Sequence, residues 1–445
     1  MSVREWVKTG LLVSLLVVLV GIGAMLRRSS PVDVYVRQCD CATSQGGGTT
    51  ALEKLRENAP FYAHRQRRGT RLLSYQPPGN GWNNQRIALE NALVLAKLLN
   101  RTLVVHPLAP HDLGSSLKAG RHPGYVAYNM LNESDLLPLS KFVNLGLMNR
   151  LVPVIAVNTS HPKFIHNYSH LRWKNVCHST GFGYWVDRVP RTEEEVDLFA
   201  TQKFTPFGAW RQKCPEEQER SEQDSSPIVR FVSDLADDPA EMLYFEQGTL
   251  FGIQIRFTTY EQALEAQNWV VKYVRYNEDV WKRVKKVVAQ MGHMYNAIQV
   301  RRRGHLNRKL PHSYWLDKMV EKNFSKQVPV YVATDETNLA WFKPFRKGGF
   351  KLHFAEDFIG ILNFTSVSKS LRNDFLGIHE QCLCEAAVQF VPSPASTFDA
   401  LILRHRGEVE MRDGLMVDTL HTYWIGHQTV ANSGVNKKYE SNLQL

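Results

Sequence analysis

The stretch Tyr75–Pro107, YQPPGNGWNNQRIALENALVLAKLLNRTLVVHP, constrains the fold more than any other, because it joins a tight loop, a helix and a strand without a break. Pro77, Pro78, Gly79 and Gly81 permit only an irregular, sharply turning backbone, and Asn83 or Asn84 has the side chain to cap a following helix. From Ile87 to Leu99, apolar residues cover so much of the helical circumference that the helix is expected to be buried against a sheet on more than one side. Thr102–Leu108 then reads as a strand. A turn of this kind at a helix N-terminus offers free N–H groups and the positive dipole end together, which suits a phosphate. An ordinary loop-to-helix junction of an α/β domain fits equally well, since Gly-x-Gly is a weak motif.

The same alternation returns later in the chain. Residues 260–291 carry a long helical pattern that turns at Gly292 into a strand, NAIQV, and this strand runs directly into RRRGHLNRK. In open α/β sheets ligands collect at the C-terminal ends of strands. Arg301, Arg302 and Arg303 stand at such an end, and a guanidinium fork matches a phosphate bidentately. For two of the three arginines, a solvated basic loop is the expected role. SYWLDKMVEKNF reads as a helix, and VPVYVATDE as a strand ending in Thr334 and Asp335. HEQCLCEAAVQFVPSPASTFDALILRHRG reads as helix, short strand, small-residue turn and helix, so Ser393, Ser396 and Thr397 form a second potential anion cradle. His106, His111 and Asp112, just past another strand end, are further candidates, although solvent-facing loop residues are the commoner explanation.

Length and composition bound the remainder. A chain of 445 residues with 43% hydrophobic and 11% aromatic content is a folded protein with room for about two or three domains. The net charge of +11 suits anionic partners. No zinc finger, recognition helix or ribonucleoprotein pattern accompanies it, so nucleic acid is not expected. Residues 10–26, GLLVSLLVVLVGIGAML, are uncharged between Lys8 and Arg27, near the lower limit of about 17 residues for a spanning helix. A signal-anchor and a signal peptide cleaved near Gly23 or Ala24 both fit; the two arginines that follow favour the anchor. Asn100, Asn132, Asn158, Asn167, Asn323 and Asn363 each begin an Asn-x-Ser/Thr acceptor pattern, all after the apolar run, which points to a lumenal body. Six cysteines, Cys39, Cys41, Cys177, Cys214, Cys382 and Cys384, agree with an oxidising compartment in which bridges are expected. The Cys-x-Cys pairs lack the reach and the histidines of a zinc site, so no metal is expected. The resulting order is a tail at 1–9, an anchor at 10–26, a stem at 27–70, folded units at 71–259 and 260–430, and a tail at 431–445, with a charged surface loop at 211–228.

GWNNQRIALENALVLAKLLNRTLVV, AIQVRRRG, VYVATDE and EQCLCEAAVQFVPSPASTF, in this order and spacing over residues 75 to about 407, resemble the GDP-fucose protein O-fucosyltransferase superfamily, which includes α1,6-fucosyltransferases. The resemblance implies a GT-B-like α/β fold, two Rossmann-like lobes facing a cleft. It implies that Asn84 lies at the donor–acceptor cleft and that Arg301 contacts the pyrophosphate, with Arg302 the alternative register. Ser396, Thr397 and Phe398 match the motif that holds phosphate and sugar. Glu380 matches an acidic residue used for base or ribose, and Asp335 falls on the donor side. The chain departs from the pattern at Gln299, where many members have His, at His305, and in a first loop with Asn80 and Gly81 in place of Arg or Glu. These departures touch the base and the acceptor, and leave the donor site standing.

The implied chemistry is inverting transfer of fucose from GDP-fucose to a protein Ser/Thr hydroxyl, through an oxocarbenium-like state with a departing diphosphate. No Asp-x-Asp tripeptide occurs, so an arginine and helix N–H groups are expected to hold the leaving group without a metal. His106, Asp112 and the leaving phosphate are the candidate proton acceptors. The expected setting is a single-pass type II protein of the Golgi or endoplasmic reticulum membrane. A glycan acceptor, or a non-catalytic lumenal binding protein of the same fold, are the alternatives.

Overall fold

The computed structural model describes residues 71–79, 81–110, 135–157, 168–177, 183–193, 228–246, 249–251, 253–302, 310–394 and 396–406, with short strands at 411–412, 415–416 and 422–424. The apolar run at 10–26, the stem, the 431–445 tail, Asn80, His111, Asp112, Arg303 and His305 lie outside the described residues. So do Cys39, Cys41, Cys214, Asn132, Asn158 and Asn167. Among the described residues no helix is long and apolar enough to cross a membrane.

Strand β1 (Leu72–Tyr75), helix α1 (Trp82–Leu98) and strand β2 (Thr102–Val105) form a βαβ unit with the strands parallel, Leu72 opposite Thr102. Gln85–Ala96 of α1 are all buried, as a helix apolar around its whole circumference requires. Neither Asn83 nor Asn84 caps this helix. Gly81 is the N-cap residue and makes no side-chain bond, so both asparagines lie inside the first turn. The Trp82 N–H is taken instead by Asp374 Oδ1 at 2.8 Å, a carboxylate nearly three hundred positions away.

Strand β3 (Val154–Ala156) flanks this unit beside β2, β4 (Trp173–Val176) forms the opposite edge of the sheet, β5 (Gly183–Val186) and β6 (Ile228–Phe231) start a second sheet, and β7 (Met242–Phe245) returns between β1 and β4. The first sheet has the order β3-β2-β1-β7-β4, all parallel. After β8 (Ile255–Phe257), the long helical pattern resolves into α2 (Tyr260–Tyr273) and α3 (Glu278–Met291). Thr259 and Asn277 cap them, each accepting a backbone N–H from three residues on, so the break is written in a capping asparagine.

A third sheet follows: β9 (Asn296–Val300), α4 (His312–Glu321), β10 (Val330–Thr334), β11 (Leu352–His353), α5 (Arg372–Ala386), β12 (Phe390–Val391) and α6 (Thr397–Arg406). Its order is β11-β10-β9-β12, again all parallel. Strand β9 is buried on both faces: Ile298 and Val300 join Trp315, Phe342 and Phe345, while Ala297 joins Tyr331 and Ile378 of α5. A hairpin of β13 (Met411–Arg412) and β14 (Leu415–Met416) precedes β15 (Thr422–Trp424), which pairs with β8. The second sheet thus runs β15-β8-β5-β6.

The molecule is an α/β protein built on parallel sheets. Helix α2 packs on α1 and β8, and α3 packs on α5.

The expectation of bridged cysteines fails at the 382/384 pair. Both are free, buried thiols on α5. Two residues apart on a helix they point to nearly opposite sides and cannot meet each other. Cys177, by contrast, is disulfide-bonded.

Candidate active site

Three strand exits of the third sheet are stitched together by short polar side chains. Ser393, just after β12, donates its hydroxyl to Gln299 O at 2.8 Å and accepts the Arg301 N–H at 3.0 Å. Thr334, at the end of β10, donates to Val300 O at 2.7 Å and accepts the Glu336 N–H at 3.0 Å. Asp335 Oδ1 accepts the Arg302 N–H at 2.7 Å. The backbone around Arg301 and Arg302 is therefore fixed from both sides.

The two arginines then diverge. Arg302 ion-pairs with Glu336 at 2.7 Å and lies over the Trp341 ring at 4.4 Å from its centroid. Arg301 forms no ion pair with any described residue, and it is among the groups that oppose the rise in the Asp399 pKa. Of the alternative registers, Arg301 keeps its guanidinium available and Arg302 has its own neutralised.

Asp399 is a site residue that the sequence reading passed over. It lies in the first turn of α6, 2% exposed, with Oδ2 accepting the Ser393 N–H at 3.2 Å and Oδ1 without a partner. Burial holds its carboxyl well above the usual range, opposed by the Ser396 hydroxyl, the Ser393 N–H and Arg301. Ser396 is buried beside it, and its Oγ closes no hydrogen bond of good geometry. The signal was present: Ser396-x-x-Asp399 is the spacing of a capping box.

Glu380 of α5 lies under the exit of β10, 7% exposed, with the Tyr331 hydroxyl 3.3 Å from Oε1. Burial pushes its pKa up to about 8, with Glu356 and Asp335 adding to the rise and Tyr331 and Thr334 opposing it. This is a carboxyl that holds its proton near neutral pH and can donate a hydrogen bond. Phe398 packs inward instead: its ring faces Gly377 and its carbonyl accepts Gln381 Nε2 at 3.2 Å.

A sequence profile of the GDP-fucose protein O-fucosyltransferase family matches residues 73–409. The chain belongs to this family. It is a glycosyltransferase. Among solved structures it is similar to POFUT1 in an apo form, at 13% identity and TM-score 0.42 over 76% of this chain and 95% of that one. A POFUT1 complex with GDP-fucose matches at 12% identity and TM-score 0.40, over 81% and 98%. The fucosyltransferase NodZ from Bradyrhizobium matches at 15% and 0.40, over 76% and 92%. Comparison with curated sequences gives no significant match.

In this family member the first turn of α1 docks on α5 and α6. The Asn84 side-chain oxygen accepts the Thr397 hydroxyl at 3.2 Å, which joins two of the sequence-predicted residues across 313 positions. Trp82 Nε1 donates to Tyr276 Oη at 2.9 Å, Tyr276 to Gln381, and Gln381 to Asn83. Gln85 grips the loop after β2 with both ends of its amide, donating to Ala109 O at 2.8 Å and accepting its N–H at 3.1 Å.

His106 stands apart from this group. It is 3% exposed, hydrogen-bonded to Ser74 Oγ at 2.8 Å and edge-on to Tyr75, and burial pushes its pKa down to about 3. Such an imidazole is a weak base. Among the described residues there is no group of three or more metal-ligating side chains.

Proposed function

We propose that this chain transfers fucose from GDP-fucose to a Ser/Thr hydroxyl of a protein, with inversion and without a metal. The observation that carries the reading is the contrast at the end of β9: Arg301 keeps an unpaired, half-buried guanidinium in a backbone frame fixed by Ser393 and Asp335. A diphosphate that gains negative charge as it departs is the ligand such a group suits. The first turn of α6 adds the Ser396 and Thr397 hydroxyls and a helix N-terminus on the same side. Glu380, protonated near neutral pH, supplies a donor as well as an acceptor to the base or ribose. Asp335 and Arg302 shape the same rim.

Inverting transfer needs the acceptor oxygen on the sugar face opposite the diphosphate. Asn84 spends its oxygen on Thr397, which leaves its amide N–H groups to orient that hydroxyl. The acceptor's proton leaves as its oxygen bonds the anomeric carbon and the carbon–diphosphate bond breaks. With His106 so weakly basic, the departing diphosphate is the better proton acceptor. The setting in this proposal is the lumen of the Golgi or endoplasmic reticulum, with residues 10–26 as a type II anchor.

The test is binding and slow hydrolysis of GDP-fucose by the purified protein, against a panel of other nucleotide sugars. Selective thermal stabilisation by GDP-fucose and release of free fucose are expected, since a ligand that binds the native state raises its stability. Equal stabilisation by every nucleotide sugar, or by none, overturns the donor assignment.

A further inference from the structure

We propose that Asn100 and Asn323 carry N-linked oligosaccharides, one on each of two βαβ units, at the edge of the molecule opposite the strand exits. This rests on the lumenal setting proposed above. The two asparagines occupy equivalent places: Asn100 joins α1 to β2 and Asn323 joins α4 to β10, each turning the chain from a helix into the next parallel strand. Both have left-handed backbones, φ 49° and φ 54°. At both, the next residue bonds back to the helix, Arg101 N–H to Ala96 O at 3.0 Å and Phe324 N–H to Met319 O at 2.9 Å. That i to i−5 bond marks a Schellman end. Both asparagines are exposed, and neither side-chain amide has a hydrogen-bonding partner among the described residues.

The helix end explains only part of this pattern. A left-handed C′ position favours glycine and, after it, asparagine. The chain uses Gly292, φ 95°, for the corresponding turn after α3. Nothing in that geometry calls for a hydroxyl two residues later, yet Thr102 follows Asn100 and Ser325 follows Asn323. Ser325 Oγ makes only a long local bond, accepting from Gln327 N–H at 3.3 Å. Together the residues complete two Asn-x-Ser/Thr acceptor patterns in solvent.

Placement gives the pair a consequence. In parallel sheets the helix-to-strand turns lie at the opposite edge from the strand C-termini, where Arg301, Thr334 and Ser393 stand. Asn323 is therefore at the far edge of the third sheet, and Asn100 lies at the end of α1 opposite Asn84, whose side chain meets α6, so glycans at both stand clear of the candidate active site. Asn363, also exposed with φ 50°, lies in the crossover from β11 to α5 and not in a helix-to-strand turn. The modification joins Asn Nδ2 to the anomeric carbon of an oligosaccharide carried on a polyprenyl diphosphate. The anomeric carbon–oxygen bond breaks, the lipid diphosphate leaves with the electron pair, and one amide proton goes to a base of the transferring enzyme.

The experiment is to produce the full chain in a eukaryotic secretory host, remove N-glycans enzymatically in heavy-oxygen water, and map the peptides. Labelled aspartate is expected at 100 and 323. Thr102→Ala and Ser325→Ala, which keep each asparagine and its left-handed turn, should each remove one glycosidase-sensitive mass step and leave fucosyl transfer unchanged. Label at Asn132, Asn158, Asn167 or Asn363 but at neither Asn100 nor Asn323 overturns this inference and leaves the lumenal setting intact. Active enzyme with all six positions unlabelled overturns both the inference and the setting, while the donor chemistry stands. Transfer lost together with either glycan refutes the claim that they stand clear of the site.

Discussion

Two clusters of buried charge meet in this molecule and are treated differently. At the junction of α1 and α6, Glu90 is held by Arg86 at 2.7 Å and by both terminal nitrogens of Arg404 at 2.7 and 3.2 Å. Arg86 also donates to Val274 O, and His405 donates Nδ1–H to Glu385, which Arg275 approaches at 3.4 Å. Every charged head there has a carboxylate or carbonyl partner. At the strand exits, by contrast, the Arg301 guanidinium forms no ion pair with any described residue, and Asp399 Oδ1 and Ser396 Oγ close no hydrogen bond of good geometry. The first cluster is closed on itself and serves the fold. The second is open, and in the proposed function a ligand completes it; composition alone would treat the two groups alike.

Breaking the closed cluster should have the largest effect. Burial alone would raise the Glu90 pKa, and Arg404 and Arg86 more than offset it, so the group stays ionised. Glu90→Ala strands two buried guanidiniums and is expected to cost about 3–5 kcal/mol in chemical denaturation. A loss below about 1 kcal/mol would show that the cluster is not the closed unit described here.

The open cluster should respond in activity instead. Arg301→Ala is expected to lower kcat/KM about 10²–10³-fold, the scale of losing one preorganised charge donor, with little change in denaturation midpoint. Arg302→Ala should lower transfer by no more than about tenfold, because Glu336 already neutralises that guanidinium, and should destabilise by about 1 kcal/mol through the lost Trp341 contact. The reverse ranking would move the diphosphate to Arg302.

How much of this was legible in the sequence follows from which forces are local. Strand exits at Arg301 and Asp335 and the buried α1 were readable, because periodicity and composition act over a few residues. The division of labour between Arg301 and Arg302 was not, since it depends on Glu336 and Trp341 from other elements. The capping roles expected of Asn83 and Asn84 failed for the same reason: Asp374 reaches Trp82 from α5 and does the capping through space. Gln85 lies within the family motif, but its grip on Ala109 appears only once α1 is folded against the β2 loop.

Glu380 tests the open cluster through pH. Its folded pKa of about 8 lies above the ordinary 4.5, so the folded state holds the proton more tightly than the unfolded chain. Stability from this source is full below about pH 4.5 and is lost as pH rises through about 8. Glu380→Gln, neutral throughout, should therefore gain on the wild type over that window. The expected gain is about 1–3 kcal/mol by pH 8, less than the shift alone implies at about 1.4 kcal/mol per unit, because water penetration relaxes buried charge. A stability difference flat from pH 5 to 9 would mean that Glu380 is ionised throughout and cannot donate to a base or ribose.

The smallest expected effect is the most specific. Asn84 sits where the clusters' two settings touch, on the helix that carries Arg86 and Glu90 and against the turn that carries Ser396 and Asp399. Among the described residues its side chain bonds Thr397 Oγ1, so removing it frees that hydroxyl without stranding a charge. Asn84→Ala should cost about 0.5–1.5 kcal/mol of stability, the worth of one ordinary hydrogen bond. Transfer to acceptor should fall about tenfold while GDP affinity, read by calorimetry, stays the same, because binding and alignment are separable when only alignment is lost. Equal losses in GDP affinity and transfer would instead assign Asn84 to the diphosphate, and would extend the open cluster from the third sheet into the first helix.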